Sequence, residues 1–116
     1  MEEWFSRHAD VLAQLPRMEG VEPYTVVIRH GTMRVGLYAP HGVDEQGPHE
    51  QDELYIVATG SGNFRRGEQC REVRAGDVFF VGAHETHRFE DFTEDFSTWV
   101  IFWGPAGGEP DAAAGS

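Results

Sequence analysis

Histidine and carboxylate side chains lie close together in one stretch of the sequence where a strand is expected. His49 and Glu53 come just before the apolar run 54–57. If this stretch is extended, residues 49, 51 and 53 share one face, because side chains alternate across a strand. An imidazole beside a carboxylate, with Gln51 between them, is a ligand pair suited to zinc, iron, nickel or manganese. The spacing indicates a candidate metal site, although the same pair also occurs on solvated strands.

The elements that must position these side chains are predicted to be short strands. Runs rich in β-branched and aromatic residues alternate with glycine-containing turns at intervals of roughly 8–12 residues, which is typical of a sandwich or barrel. The predicted strands are Tyr24–Arg29, Thr32–Ala39, Leu54–Ala58, Gly62–Arg66, Gln69–Arg74, Asp77–Val81, His87–Glu90 and Ser97–Trp103. No interior run is long enough for a crossover helix. The predicted fold class is therefore all-β, a small antiparallel β-barrel.

A short helix is predicted before the first strand. Apolar and aromatic side chains recur there at helical spacing: Phe5, His8, Val11, Leu12 and Leu15. Pro16 ends the run, so the helix is expected over residues 2–15, with Ser6 available to cap its start. The chain then divides into an N-terminal helical segment (1–20), a barrel domain (21–103) and a disordered tail rich in Gly, Pro and Ala (104–116).

Composition and charge exclude several classes of protein. The 116 residues suffice for one domain, and 40% hydrophobic with 12% aromatic residues is too apolar for a disordered chain. The net charge of −11 disfavours binding to nucleic acid and to anionic membranes. Cys70, the single cysteine, indicates a reducing compartment, and the acidic N-terminus does not resemble a signal peptide. We therefore expect a cytoplasmic protein.

Two stretches of the chain resemble the two sequence motifs of the cupin superfamily. The first cupin motif places a His-x-His pair before a Glu, with a Gly seven residues later, and here His49, Glu53 and Gly60 match it. The second motif begins Gly-Asp, continues through an apolar strand to a turn and ends at a His, as the stretch 76–87 does. The chain thus resembles a small single-domain cupin of the type-2 conserved-barrel kind. The resemblance implies a jelly-roll barrel.

The same resemblance implies a metal site with an altered ligand set. Gly47 stands where the first motif has its first His, and in the second motif Gly82 replaces Pro and His84 replaces Gly. The implied ligands are therefore reduced to His49, Glu53 and His87. Two imidazoles and a carboxylate can hold a divalent ion, whether Fe, Zn, Mn or Ni. Gln51 or His41 remains open as a further donor.

The alternation of side chains also predicts a pocket around this site. Tyr55 shares the face of Glu53, and Phe89 shares the face of His87. Together with Gln51 and Trp99 they are the candidate pocket residues. On the strand Thr32–Ala39 the pattern does not decide which face is inward. A small-molecule ligand or substrate is expected in such a pocket.

Two kinds of function remain open from the sequence. The first is a metalloenzyme, either an iron dioxygenase or a Lewis-acid isomerase or hydrolase that uses Zn, Mn or Ni. The second is a non-catalytic binding or sensing barrel with a weak or vestigial metal site. A cysteine hydrolase is disfavoured, because Cys70 lies on a polar strand without a nucleophile-elbow motif. A homodimer is expected, with Trp4 and Phe5 as a contact.

Overall fold

The computed structural model describes residues 4–44 and 46–110. Within them the chain forms one helix and eight strands. These are α1 (His8–Gln14), β1 (Tyr24–His30), β2 (Met33–Tyr38), β3 (Asp52–Thr59), β4 (Ser61–Arg66), β5 (Gln69–Arg74), β6 (Val78–Val81), β7 (His87–Glu90) and β8 (Ser97–Trp103). Each predicted strand is present, with its ends shifted by two residues at most.

The strands form two antiparallel sheets. The larger sheet has the order β1-β2-β8-β3-β6, and the smaller has the order β5-β4-β7. Strand β8 pairs with β2 on one side and with β3 on the other, so the last of the described strands lies at the centre of the larger sheet. This jelly-roll arrangement confirms the predicted all-β barrel.

An aromatic core fills the space between the two sheets. Its buried members include Tyr38, Tyr55, Phe64, Phe89, Phe96, Val100 and Phe102. Tyr55 and Phe89 meet edge to face with ring centroids 5.1 Å apart, a favourable geometry for aromatic pairs. Burial of each large apolar side chain contributes about 1.5–3 kcal/mol, so the core is the main source of stability.

Strand β2 turns Arg34, Gly36 and Tyr38 toward the inside of the barrel, which settles the orientation that the sequence left open. Tyr38 belongs to the aromatic core, whereas Leu37 is buried in a second cluster on the outer face of the sheet. That second cluster is covered by the helix.

Helix α1 begins later than predicted. It starts at His8 rather than at residue 2, and Arg7 occupies the N-cap position with extended backbone, so the capping role expected of Ser6 is not realised. The helix is fixed by tertiary contacts instead, since Val11 packs in the outer cluster and His8 Nε2 lies 2.8 Å from Ser97 Oγ. Residues 2 and 3 of the predicted helix lie outside the described residues. The described helix is far too short to cross a membrane.

Residues 104–110, predicted as the start of a disordered tail, are held against the barrel. The Gly104 amide donates to Thr32 Oγ1 at 2.9 Å, and the Glu109 amide donates to Asp52 Oδ2 at 2.8 Å. These hydrogen bonds to side chains of the barrel replace the solvent contacts that the composition favoured. The rest of the predicted tail lies outside the described residues, and the domain boundary at residue 20 stays a prediction.

Candidate metal centre

Glu53 is a buried carboxylate on β3, which lies between β8 and β6 in the larger sheet. It pairs with Phe102 on β8 and with Val81 on β6, and only 1% of the residue is exposed. Neither carboxylate oxygen has a hydrogen-bond partner among the described residues. Burial of a carboxylate without partners costs several kcal/mol of folding free energy. A cation bound beside Glu53 would remove this cost.

His87 meets Glu53 from the opposite sheet. Its Nε2 atom lies 3.2 Å from Glu53 Oε1, yet the two atoms do not have hydrogen-bond geometry. On the other side of the ring, Nδ1 lies 2.8 Å from the Glu85 carbonyl oxygen. A carbonyl only accepts, so Nδ1 carries the proton, and in the neutral ring the lone pair of Nε2 faces the carboxylate. This is the orientation that a metal-ligating histidine takes.

His49 completes the group from the loop that precedes β3. Its Nε2 atom lies 4.0 Å from Glu53 Oε1, and its ring meets the edge of Phe102. The loop is anchored to the turn before β7, because the His84 amide donates to the His49 carbonyl at 2.7 Å. One potential ligand atom from each of His49, Glu53 and His87 lies within 4.8 Å of the others. The structure thus brings the three sequence-predicted residues together.

Burial and charge shift two pKa values at the site. For His87, burial is the largest influence and lowers the pKa, but the Glu53 carboxylate and the Glu85 carbonyl together leave the pKa above its ordinary value. For Tyr55, burial and then the Glu53 charge raise the pKa well above 10. The tyrosine is therefore a permanent donor, and its hydroxyl donates to Gln46 Oε1 at 3.1 Å.

Gln46 is a site residue that the sequence analysis missed. Its amide nitrogen donates to Asp44 Oδ2 at 2.8 Å, which turns its oxygen toward the site, 3.4 Å from His49 Nε2. Asp44 is itself buried and accepts from Tyr38 Oη at 2.6 Å and from the Phe89 amide at 2.8 Å. The carboxylate of Asp44 therefore fixes the orientation of an amide oxygen at the edge of the metal centre.

A local signal for this arrangement was present in the sequence. Asp44 accepts from the backbone amide of Gln46 at 3.1 Å, which is the Asx-turn that Asp forms with a residue two positions on. Gln46 also directly precedes Gly47, the position where the first motif lacks its histidine. A polar side chain beside a missing ligand is the signal that the sequence analysis did not use.

Gln51 was predicted beside the ligands and lies elsewhere. Strand β3 begins only at Asp52, so the alternation of faces does not extend back through the bend at residue 51. Its amide nitrogen donates to the Gly104 carbonyl at 2.8 Å, and its oxygen accepts from Arg34 Nη2 at 2.5 Å. His41, the other open donor, is exposed and is not part of the metal group.

Of the remaining predicted pocket residues, two lie inside the barrel and one lies on the outer face of the larger sheet. Tyr55 and Phe89 are inside the barrel, as the alternation predicted, but they are packed in the core beneath the site. Trp99 must be corrected, because it lies on the outer face of the sheet, where it packs with the helix cluster and contacts the His8 ring. On β8 it is the opposite face, with Val100 and Phe102, that faces the site.

A small cavity of about 180 Å³ opens beside two of the candidate ligands, His49 and Glu53. Its wall combines two candidate ligands with apolar and polar side chains from strands and loops: Glu22, Tyr24, Arg34, Tyr38, Gln46, His49, Glu53, Val100 and Phe102. A wider groove of about 910 Å³ between residues 16–23 and 41–49 shares four of these residues, namely Glu22, Tyr38, Gln46 and His49. The groove therefore adjoins the cavity at these residues.

The sequence of the barrel matches a family model described as the cupin domain, over residues 34–102. The chain belongs to the cupin family. An uncharacterized protein of Streptomyces coelicolor is 37% identical over 84 residues, which are 71% of this cupin and 80% of the relative.

Solved structures are similar to this cupin in fold. A cupin-2 domain protein from Shewanella frigidimarina has a TM-score of 0.67 at 16% identity, covering 85% of this chain and 94% of that one. The DMSP lyase DddQ from Ruegeria pomeroyi has a TM-score of 0.63 at 18% identity, covering 80% of this chain and 53% of that one.

Proposed function

We propose that this cupin holds one divalent metal ion on His49, Glu53 and His87 and presents it to a small organic molecule. The observation that carries the proposal is the convergence of buried, unsatisfied ligand atoms. Both Glu53 oxygens and His87 Nε2 have no hydrogen-bond partner in the part of the chain that the structure describes. A bound cation would satisfy all three atoms and remove the cost of their burial.

The donor set fits Fe, Zn, Mn or Ni. Two imidazoles and one carboxylate are ligands that these ions share, and three protein ligands leave coordination positions free. When bound, the metal would supply Lewis-acid polarisation of a ligand oxygen and, in the case of iron, redox chemistry. Gln46 would orient an amide oxygen at the edge of the ion, and Phe102 and Val100 would exclude water from one side.

The proposed activity is that of a metalloenzyme, either a dioxygenase or a Lewis-acid isomerase or hydrolase. The wide groove that adjoins the cavity supports turnover of an exchanging molecule, and one solved structure with a similar fold is that of a lyase. A second candidate function is a non-catalytic ligand-binding or sensing barrel. It is favoured by Gly47, which stands where the family motif has a fourth ligand.

Metal content is the direct test. Protein purified without added metal, and protein incubated with each of the four ions, is analysed by plasma mass spectrometry. We expect about one bound equivalent in the wild type and far less in His49→Ala, Glu53→Gln and His87→Ala. His84→Ala is the matched control, since this exposed imidazole lies near the same turn and should leave metal content unchanged. Failure of the wild type to retain any of the ions would refute the proposal.

Oxygen consumption and retained ligand separate the two candidates. Iron-loaded protein that consumes oxygen with an enol, catechol or diketone would support the dioxygenase, and conversion without oxygen would support the Lewis-acid enzyme. A small molecule that co-purifies with the protein and stays unchanged over time would support the binding barrel.

The cellular setting is part of the same proposal. The free thiol of Cys70 supports a cytoplasmic location, because reducing compartments keep thiols unpaired. The exposed aromatic pair Trp4 and Phe5 supports a homodimer. Light scattering should then give twice the 13.0 kDa of one chain, and Trp4→Ser should lower that mass. A wild-type mass of one chain at micromolar concentration would contradict the dimer.

A further inference from the structure

A row of cross-strand pairs connects the metal centre to an arginine on the same inner face. Arg34 on β2 pairs with Phe102 on β8, and Phe102 pairs with Glu53 on β3. Directly paired residues project to the same side of a sheet, and two strand spacings of about 4.8 Å separate Arg34 from Glu53. The arginine and the metal ligand therefore face one cavity from opposite sides of Phe102.

The guanidinium of Arg34 is held in place but not neutralised. It lies over the Phe102 ring at 4.9 Å from the centroid and donates one hydrogen bond to Gln51 Oε1. Within residues 4–44 and 46–110 no carboxylate forms an ion pair with it. Because a guanidinium has five donors in a planar fork, most of its capacity for an anionic oxygen remains available on the cavity side.

Tyr24 adds a second donor to the same cavity. Its ring lies across Gly36, where an added Cβ would come within 2.7 Å of Tyr24 Cε1, so only glycine leaves room for the ring. The hydroxyl is buried and finds no acceptor among the residues that the structure describes. Burial is the main cause of the raised pKa of Tyr24. The hydroxyl therefore stays protonated and remains a hydrogen-bond donor without an acceptor among the described residues.

The geometry points to a ligand that carries a carboxylate, received by Arg34 and Tyr24, while a second oxygen of the same molecule reaches the metal position. This inference rests on the proposed metal centre and adds the chemical class of its ligand. The two acids that line the cavity do not oppose it. Glu53 is committed to the cation, and Glu22 is exposed at the edge.

The size of the cavity restricts the ligand further. About 180 Å³ is below the roughly 300–1,000 Å³ of pockets for drug-sized molecules, so the part bound between metal and arginine is a short-chain organic acid. Longer molecules would extend into the wide groove past Tyr38, Gln46 and His49.

The test uses chelating probes with and without the carboxylate. Metal-loaded protein is titrated calorimetrically with the monohydroxamates of succinic and glutaric acid and with the matching hydroxamates that end in a primary amide. The hydroxamate binds the ion in each probe, so the two series differ only in the group offered to Arg34. We expect the acid to bind about tenfold or more tightly than the amide in at least one pair.

Three variants test whether Arg34 and Tyr24 cause the preference for the acid probe. Arg34→Gln should reduce the preference to less than about threefold, and Tyr24→Phe should reduce it by about threefold, with metal content unchanged. Arg29→Gln is the matched control, because Arg29 is the cross-strand partner of Arg34 but is exposed and does not line the cavity. Equal binding of acid and amide to metal-loaded wild type would overturn the inference while the metal centre stands.

A measurement on metal-free protein tests the carboxylate site independently of the metal centre. Metal-free protein is titrated with glutarate and with glutaramide while the Nε–H resonance of Arg34 is followed by nuclear magnetic resonance. A shift with the acid alone, absent in Arg34→Gln, would support the carboxylate site even if no metal is retained. No shift with either compound would overturn it.

Discussion

Glu53 Oε1 and His87 Nε2 lie 3.2 Å apart, although their strands belong to different sheets and the chain between them contains three further strands. Both atoms are buried, and neither has a hydrogen-bond partner among the described residues. Such a pair is costly unless a proton or a metal ion stands between the two atoms. We therefore expect the metal-free and the metal-loaded protein to respond differently to mutation of these residues and to pH.

Removal of the Glu53 charge should stabilise the metal-free protein. At a pH above the raised pKa of His87, where that ring is neutral, Glu53→Gln should raise the free energy of unfolding by about 1–3 kcal/mol, because the variant no longer buries an uncompensated carboxylate. Urea denaturation in the presence of a chelator measures this change. The same variant should lose the stabilisation that added metal gives the wild type. A less stable metal-free variant would contradict the account of an unsatisfied carboxylate.

The stability of the metal-free protein should fall as pH rises above about 6.5. The pKa of His87 is higher in the folded protein than its ordinary value of 6.5, so the folded state binds this proton more tightly than the unfolded state. The resulting stabilisation is fully present below the unfolded pKa and is lost as pH rises through the folded pKa. Urea midpoints across this range check the trend. His87→Gln should flatten it, whereas His84→Gln should not.

Gln46 should affect metal affinity more than stability. Gln46→Ala removes the amide oxygen that faces His49 Nε2, and we expect metal affinity to fall about tenfold, as for other groups that orient metal ligands. Competition with a chelator of known affinity measures the loss. Gln51→Ala is the matched control, since that side chain bonds to Arg34 and to the Gly104 carbonyl instead. Equal effects of the two variants would show that Gln46 has no special role.

Gly36 should not tolerate a side chain. In Gly36→Ala the new Cβ would lie 2.6 Å from the Thr25 carbonyl oxygen and 2.7 Å from Tyr24 Cε1. We expect a loss of about 1–3 kcal/mol in the free energy of unfolding and a displaced Tyr24 ring. Thermal unfolding and the near-ultraviolet circular dichroism of the tyrosines check both effects. Gly47→Ala provides the control, because nothing lies within 4 Å of its added Cβ. Similar losses in both variants would argue against steric exclusion at Gly36.

Local patterns in the sequence predicted the strands and the three candidate metal ligands. Alternation of apolar residues and glycine turns depends on neighbouring positions only, so each strand was predicted to within two residues. The motif spacing predicted His49, Glu53 and His87 as ligands, and the structure places these three side chains together. Burial of Tyr55 and Phe89 followed from the same alternation.

Tertiary structure decided everything that depends on contacts between distant segments. Whether Trp99 or Val100 faces the site depends on which side of β8 the helix covers. The sequence of β8 alone does not predict that side. Gln46 joins the site through Asp44 and the distant Phe89 amide, and Arg34 joins it through the register of β2 with β8. Strand pairing and buried hydrogen bonds are set by the whole chain, because their energies depend on partners far away in the sequence.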